Sequence, residues 1–459
     1  MSMAGVLILV GFFLFAGLMV ARLIPPLLAL PLMAAWIAWV VQLPLTAYLN
    51  GILLGGAMKL ASAMAVVIFG AMFARVIMKT GISDTIIKKA AELAGDQPFS
   101  IALILTAATA FVFLGMSGLG AIIMVGSISI PIMTSAGISP LHASVLLLLG
   151  MQTGLLANAA NYGTFIGIFG GAVTAAYYLP AALTAGIGAL VYIWRNVEQP
   201  KTAGGSFLGI VRAFLLGLLS VPGSLVHTLL HRENTDSLLK KKRRVPAAAL
   251  LAPVIPLVTV YAFKGLVGFG PADRGMVDPV AASVFGFILA SAYASLLTRP
   301  AEIVNVFAGA IVEGIRDVAG VLFLFMGIGM LVAAVMHPMV SAVLNPMLAS
   351  IVPASRWGMF LFFLLLAPTA LYRGPLNMFG MGAGIAVLLV SLDILPLPVV
   401  CGTFMGVQYV QGGSDPTNSH NTWIGGYAGV DTAVILRKTL PYTWGMCLVM
   451  LLYVALTQW

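Results

Sequence analysis

The sequence predicts an all-α polytopic membrane protein built from two inverted-topology repeats, with about ten transmembrane helices, two re-entrant hairpins and two broken helices. Three observations predict it. The 459 residues are 61% hydrophobic and only 8% charged, against roughly 25% charged in an ordinary soluble domain. Apolar runs of about 20 residues, the length that spans a bilayer, recur along the chain. The chain also matches itself at a constant offset: Gly118 with Gly374, Pro140 with Pro396, Gly150 with Gly406, Gln152 with Gln408 and Gly170 with Gly426 are each 256 residues apart. A repeat of that length decides architecture before any local feature does.

Taken in order, the first apolar run, 4–20, has no basic segment before it and no small-residue cleavage site after it, so it reads as a retained helix ending at Arg22. Helix 2 covers about 23–45. Helix 3, about 52–78, ends in Arg75 and Lys79 and runs into the amphipathic segment TGISDTIIKKAAELAGD. Residues 99–134 are too long for one span and break at the glycines of GMSGLG, which reads as a re-entrant hairpin. Helix 5, 141–171, loses its helical character near Asn158 to Gly163, and helix 6, 172–194, returns to Arg195. That completes a first repeat over 1–195. The linker 196–245 contains Arg212, His227 and the run Lys240 to Arg244, and the positive-inside bias lays it on the cytoplasmic face.

The second repeat, 246–459, follows the same plan. Helix 7 covers 246–267 and leads to a loop holding Asp273, Arg274 and Asp278; helix 8 covers 279–297. Helix 9, 303–335, carries Glu313, Arg316 and Asp317, which read as a local interfacial ion pair. An amphipathic piece at 337–350 precedes a second hairpin, 357–390, turning near Arg373 to Met378. Helix 10, 398–430, turns at membrane depth into a polar stretch of about ten residues, GGSDPTNSHNT, and helix 11 covers 442–456. The total of ten crossings, an odd number per half, inverts one repeat against the other. Both termini are expected outside, in a bacterial inner (plasma) membrane.

The formal net charge of +9 sits at helix ends and in the linker, as membrane topology places it, so no nucleic-acid partner is expected. Cys401 and Cys447 lie in separate spans, which argues against a disulfide or a cysteine metal site. No phosphate-binding loop, HExxH, GxSxG or CxxC stands in a context that would license it, so neither ATP-driven transport nor an enzyme is expected. No organic cofactor is implied.

The chemistry concentrates in the two interruptions. Unpaired backbone groups cannot face lipid, so a polar, non-helical run at membrane depth must be wrapped in protein or line a wet cavity. In inverted repeats such breaks converge near the midplane, where half-helix N-termini meet anions and freed carbonyls hold cations. NAANYGT, 158–164, falls on SDPTNSH, 414–420, at the repeat offset, and four broken elements are expected to share one cavity. Arg373, at a hairpin tip, has the planar fork that grips a carboxylate; its other reading is an interfacial Arg paired with Asp393. Asp415 is a Na+ ligand, the carrier of a coupling proton, or the neutraliser of Arg373. His420 titrates near neutrality or simply satisfies a hydrogen bond. The substrate-binding candidates are Arg373, Ser117, Gly118, Asn377, Gln152, Gln408, Asn158, Asn161, Thr417, Asn418 and His420. The coupling-ion candidates are Asp415, Ser414, Asn421, Thr422, Asn158 and Tyr162, with Na+ the one metal expected. Helix capping is the competing role for the hydroxyls and amides among them.

The order amphipathic helix, hairpin, Pro-led helix broken by polar residues, found twice over roughly 50–195 and 300–457, resembles the ion transporter superfamily of secondary carriers. That group includes divalent anion/sodium symporters, citrate transporters and gluconate permeases. The resemblance implies a homodimer in which an elevator-like transport domain, holding the hairpins and broken helices, moves against a scaffold. One departure is plain: the Ser-Asn-Thr tip motif of the divalent anion/sodium symporters is absent. The tips here are MSGLG and YRGPLN, while SHNT at Ser419 to Thr422 lies in the broken helix, so those sodium sites do not carry over. The expected function is a secondary active transporter importing a small mono- or dicarboxylate with Na+ or H+. The alternative is a cation/proton antiporter using Asp415 and His420.

Overall fold

The structure is a computed structural model and describes residues 3–198 and 245–459, apart from 22, 271–273, 349–352, 381 and 392–394. The linker from 199, with Arg212, His227 and Lys240 to Arg244, lies outside the described residues, as do Arg22, Asp273 and Asp393. Among the described residues there is no β-strand, and the chain is an all-α polytopic membrane protein.

The first half contains α1 (Met3–Val20), α2 (Pro26–Val40), α3 (Leu45–Thr80), α4 (Ile82–Ala94), α5 (Pro98–Phe113), α6 (Leu119–Ser135), α7 (Pro140–Leu155), α8 (Gly163–Phe169) and α9 (Gly171–Asn196). The second contains α10 (Ala247–Leu266), α11 (Pro279–Thr298), α12 (Pro300–Val335), α13 (Pro338–Leu348), α14 (Arg356–Leu366), α15 (Gly382–Ser391), α16 (Leu397–Ser414), α17 (Ser419–Ala428) and α18 (Thr432–Thr457). The two halves therefore run through the same succession of elements. Six of these helices, α3, α9, α10, α11, α12 and α18, are long and apolar enough to cross a membrane unbroken. The other four expected crossings are the shorter α1 and α2 and the two interrupted pairs α7–α8 and α16–α17.

Local chemistry sets the boundaries. Prolines open α2, α5, α7 and α11, where the missing N–H costs nothing and the fixed φ is already helical. Ser139, Asp278 and Asp431 cap α7, α11 and α18 by accepting from the backbone N–H groups of His142, Val280 and Ala433. Gly81 ends α3 in the left-handed conformation, φ 73°, which lets α4 turn away immediately.

Helices from both halves cross at the centre of one group: α12 packs against α2 and α3, and α3 also packs against α11. Small residues let the backbones approach. A Cβ on Gly56 would lie 2.6 Å from Met330 Cα, and one on Gly314 would lie 2.8 Å from the Met72 nitrogen. Arg75 and Lys79 of α3 meet Asp317 and Glu313 of α12, Lys79 Nζ lying 2.7 Å from Glu313. Glu313 and Asp317 thus pair across the two halves, which corrects the expectation of a pair local to one helix. Lysine and arginine on one long helix find acids on its repeat counterpart because α3 and α12 cross closely there. In the second group, α7 packs on α5 and α9, and α16 on α18; the interrupted helices α7 and α16 also touch each other.

Candidate functional site

The second interruption is shorter than the polar composition suggests. Gly412, Gly413 and Ser414 remain helical, and only Asp415 to Asn418 separate α16 from α17. Gly413 stays in the helix because its bare Cα is packed: a Cβ there would lie 2.6 Å from Gln152 Oε1 and 2.8 Å from Thr443 Cγ2. Ser419 to Thr422 already belong to the next helix.

Asp415 is fully buried, and its carboxylate accepts five hydrogen bonds. Oδ1 accepts from the backbone N–H of Tyr372 (3.1 Å), from the backbone N–H of Thr417 (2.9 Å) and from the Thr417 hydroxyl (2.7 Å). Oδ2 accepts from the backbone N–H of Arg373 (3.2 Å) and from Asn377 Nδ2 (3.3 Å). Tyr372 and Arg373 both have left-handed backbones, φ 55° and 56°, a conformation that costs a non-glycine residue on the order of 1–3 kcal/mol. Successive N–H groups turned to one side form an anion-binding nest. The carboxylate of Asp415 fills that nest, so Arg373 meets Asp415 through its backbone. Asn377 also donates to Ala370 O (3.0 Å), and Gln411 Oε1 accepts from Met378 N–H (2.7 Å), which fastens the far side of the tip to α16.

The first interruption does the same job with the opposite polarity. Asn158 Nδ2 donates to the carbonyls of Phe113 and Met116, both at 3.0 Å, tying the first hairpin tip to the break between α7 and α8. Its Oδ1 accepts from Ala160 N–H at 2.9 Å. Ser117 and Gly118 form this tip, Gly118 with φ 89° before α6. The tip rests against α3 and α10, where a Cβ on Gly115 would lie 2.5 Å from Phe73 and 3.0 Å from Pro253.

Between the interrupted helices is a cavity of about 80 Å³. Gln152, Asn161, Gln408, Asn418 and His420 line it, together with Gln411 and Gly412; Met151, Leu155, Leu156 and Phe379 supply its apolar wall. Four broken elements were expected around one cavity; three contribute, and the first hairpin tip does not. Gln152 Nε2 donates to Tyr409 O (2.9 Å), Asn418 Nδ2 to Gln411 O (2.6 Å), and His420 Nε2 lies 3.0 Å from Gly412 O. The carbonyl oxygens of Gln152 and Gln408 are buried with no hydrogen-bond partner.

The remaining candidates brace the breaks. Ser414 Oγ bonds Thr443 Oγ1 at 2.7 Å, Asn421 Nδ2 reaches Gly413 O at 3.4 Å, and Thr422 Oγ1 donates to Asn418 O at 3.1 Å. The Tyr162 hydroxyl donates to Leu156 O at 2.7 Å, and its ring stacks on Tyr178 with centroids 4.5 Å apart. The sequence reading missed Gln411. It lies three residues beyond Gln408, on the same helix face, and that spacing was the available signal; its repeat counterpart is the apolar Leu155, so the offset comparison passed over it. Among the described residues no cluster of His, Cys, Asp and Glu has the makings of a metal site.

No family model and no curated protein sequence matches this chain. Solved structures do. The YdaH transporter of Alcanivorax borkumensis superposes with a TM-score of 0.53 at 14% identity, over 93% of this chain and 97% of that one. MtrF of Neisseria gonorrhoeae, described with a class of antimetabolite efflux pumps, superposes with a TM-score of 0.54 at 13% identity, over 90% of this chain and 83% of that one. At these identities the likeness establishes a shared fold.

Proposed function

We propose that the protein is a secondary active transporter that takes up a small organic anion, a mono- or dicarboxylate, driven by Na+ or H+. One observation carries the reading: the second hairpin tip presents two backbone N–H groups and an arginine at the break of a membrane helix, beside a cavity shared by both halves. An N–H nest that already holds one carboxylate is suited to another, and Arg373 adds the planar donor set that a carboxylate accepts in two-point contact. The fold shared with YdaH and MtrF is consistent with transport. The mechanism that fits is an elevator, in a homodimer within the membrane, the hairpins and interrupted helices moving against the group built on α3 and α12. Asp415, with five donors on its two oxygens, has little capacity left for a cation, which counts against cation/proton antiport through Asp415 and His420. Export is the second reading, favoured by the likeness to MtrF.

The deciding experiment is uptake into proteoliposomes of labelled mono- and dicarboxylates under an inward Na+ or H+ gradient. Accumulation under one gradient, lost in Arg373→Ala, is expected. No accumulation under either gradient, or an unaltered Arg373→Ala, overturns the proposal. Accumulation only when the gradient is reversed selects export.

A further inference from the structure

Resting on the organic-anion reading above, we propose that Gln152 and Gln408 make the transporter selective for hydroxylated carboxylates over unsubstituted acids of the same length. The two glutamines are counterparts in the repeat, 256 residues apart, and they line the same cavity. They are 4% and 5% exposed, and the carbonyl oxygen of each is without a partner. Buried polar atoms are almost always paired, so two unpaired acceptors at matched positions of one cavity call for an explanation. The orientation of Gln152 is fixed: only its Nε2 can donate to Tyr409 O, which leaves Oε1 as the orphan.

The rest of the polar wall does not supply what these oxygens lack. Asn418 Nδ2 is taken by Gln411 O, His420 Nε2 faces Gly412 O, and Gln411 Oε1 is taken by Met378 N–H. The cavity is therefore rich in acceptors and short of donors, so the complementary ligand brings donors. A bare cation is a poor occupant, because no carboxylate lines the wall and much of it is apolar; a desolvated charge there would be unpaired. Hydroxyl groups fit, since each donates one hydrogen bond and carries no charge. A volume of about 80 Å³ has room for several times the roughly 10–15 Å³ that one water needs, enough for the hydroxylated end of a small acid. The carboxylate end would then be held at the hairpin tip. A site built to pair a hydroxyl discriminates against the analogue lacking it far more strongly than an apolar pocket discriminates against an added methylene, because the orphaned oxygens stay orphaned.

The test is binding to the purified full-length protein of two series, propionate, lactate and glycerate, and succinate, malate and tartrate, by calorimetry and by ligand-induced shift in melting. In the wild type, affinity is expected to rise roughly tenfold or more with each hydroxyl. In Gln408→Leu, and separately in Gln152→Leu, the hydroxylated acids are expected to fall towards the unsubstituted one. Gln408→Asn, which keeps the amide but shortens the reach, serves if a leucine variant does not fold. Ligand-free melting reports the fold of each variant. Acids that bind with no dependence on hydroxyl count overturn the selectivity proposal and leave the organic-anion reading standing. A dependence that survives in both glutamine variants also overturns it. If no acid of either series binds, the organic-anion reading fails and the selectivity proposal fails with it.

Discussion

Replacing Asp415 with alanine should release the second hairpin tip. The side chain accepts the N–H groups of Tyr372 and Arg373 at 3.1 and 3.2 Å and the amide of Asn377 at 3.3 Å. Its loss strips all three donors of this acceptor, and each buried donor left unsatisfied costs about 1–3 kcal/mol. Two corrections reduce the sum. Tyr372 is 43% exposed, so water replaces part of its lost bond, and Asn377 keeps its bond to Ala370 O. Against this, the left-handed backbones of Tyr372 and Arg373 lose the contact that holds them. A net of about 2–4 kcal/mol in the free energy of local opening is reasonable. At tenfold per 1.4 kcal/mol, that is roughly 30- to 1,000-fold faster amide exchange. Hydrogen–deuterium exchange of peptides covering 371–378 in detergent-solubilised protein measures it directly, with peptides of α7 as the internal reference. Asp415→Asn should fall between wild type and alanine, since an amide keeps one acceptor but turns an NH₂ towards donors. If exchange at 371–378 is unchanged in Asp415→Ala, the carboxylate does not hold the tip and the latch argument is wrong.

At the first hairpin the sign of the substitution reverses. Asn158→Ala should raise exchange at 113–118 and lower thermal stability by about 1–3 kcal/mol, and Asn158→Asp should be worse still, because a carboxylate would face the Phe113 and Met116 carbonyls. Gly154→Ala should destabilise by about 1–3 kcal/mol through overpacking, since its Cβ would lie 2.2 Å from Ala110 O. Gly186→Ala is the control: its Cβ would meet only Thr153 Cγ2 at 3.7 Å, so the gain in helix propensity, about 0.5–1 kcal/mol, should raise the melting temperature. Exchanging the charges in Arg75→Asp with Asp317→Arg should recover much of what either single change loses. The coupling is on the order of 1 kcal/mol, because the Asp317 side chain is 35% exposed, and a double-mutant thermal cycle reads it.

The element order was legible in the sequence because prolines and polar breaks leave marks that apolar packing cannot erase. Pro140 and Pro396 sit at the starts of α7 and α16, and NAANYGT and its counterpart fall on the two breaks. The length of the second break was not legible. Glycine and serine discourage a helix by propensity, yet Gly412 to Ser414 stay helical because α16 packs tightly on Gln152 and Thr443. Nor does residue type distinguish a ligand from a brace: Ser414, Thr422 and Tyr162 read as possible ligands, and each is engaged by its neighbours. The pairing of Arg75 with Asp317 joins residues 242 apart in the chain, which no local period reports.

Arg373 shows best where sequence reasoning stops. Its guanidinium drew attention as an anion grip, and Gly374 looked like the turn residue. In the structure Gly374 has an ordinary φ of −71° and owes its place to crowding, for a Cβ there would lie 2.1 Å from Thr369 O. The left-handed turn falls on Tyr372 and Arg373, two residues that disfavour it, and it is this strained geometry that directs their N–H groups at Asp415. The two halves therefore solve one problem, fastening a hairpin tip to a helix break, with opposite polarity. Asn158 donates to carbonyls at the first tip, whereas Asp415 accepts from amides at the second. A tip fastened through its carbonyls leaves no donors for an anion, while a tip fastened through its amides becomes an anion site whenever the fastening carboxylate is displaced. That difference in backbone direction confines recognition of substrate charge to the second half, and it makes the competitor for Asp415 another carboxylate.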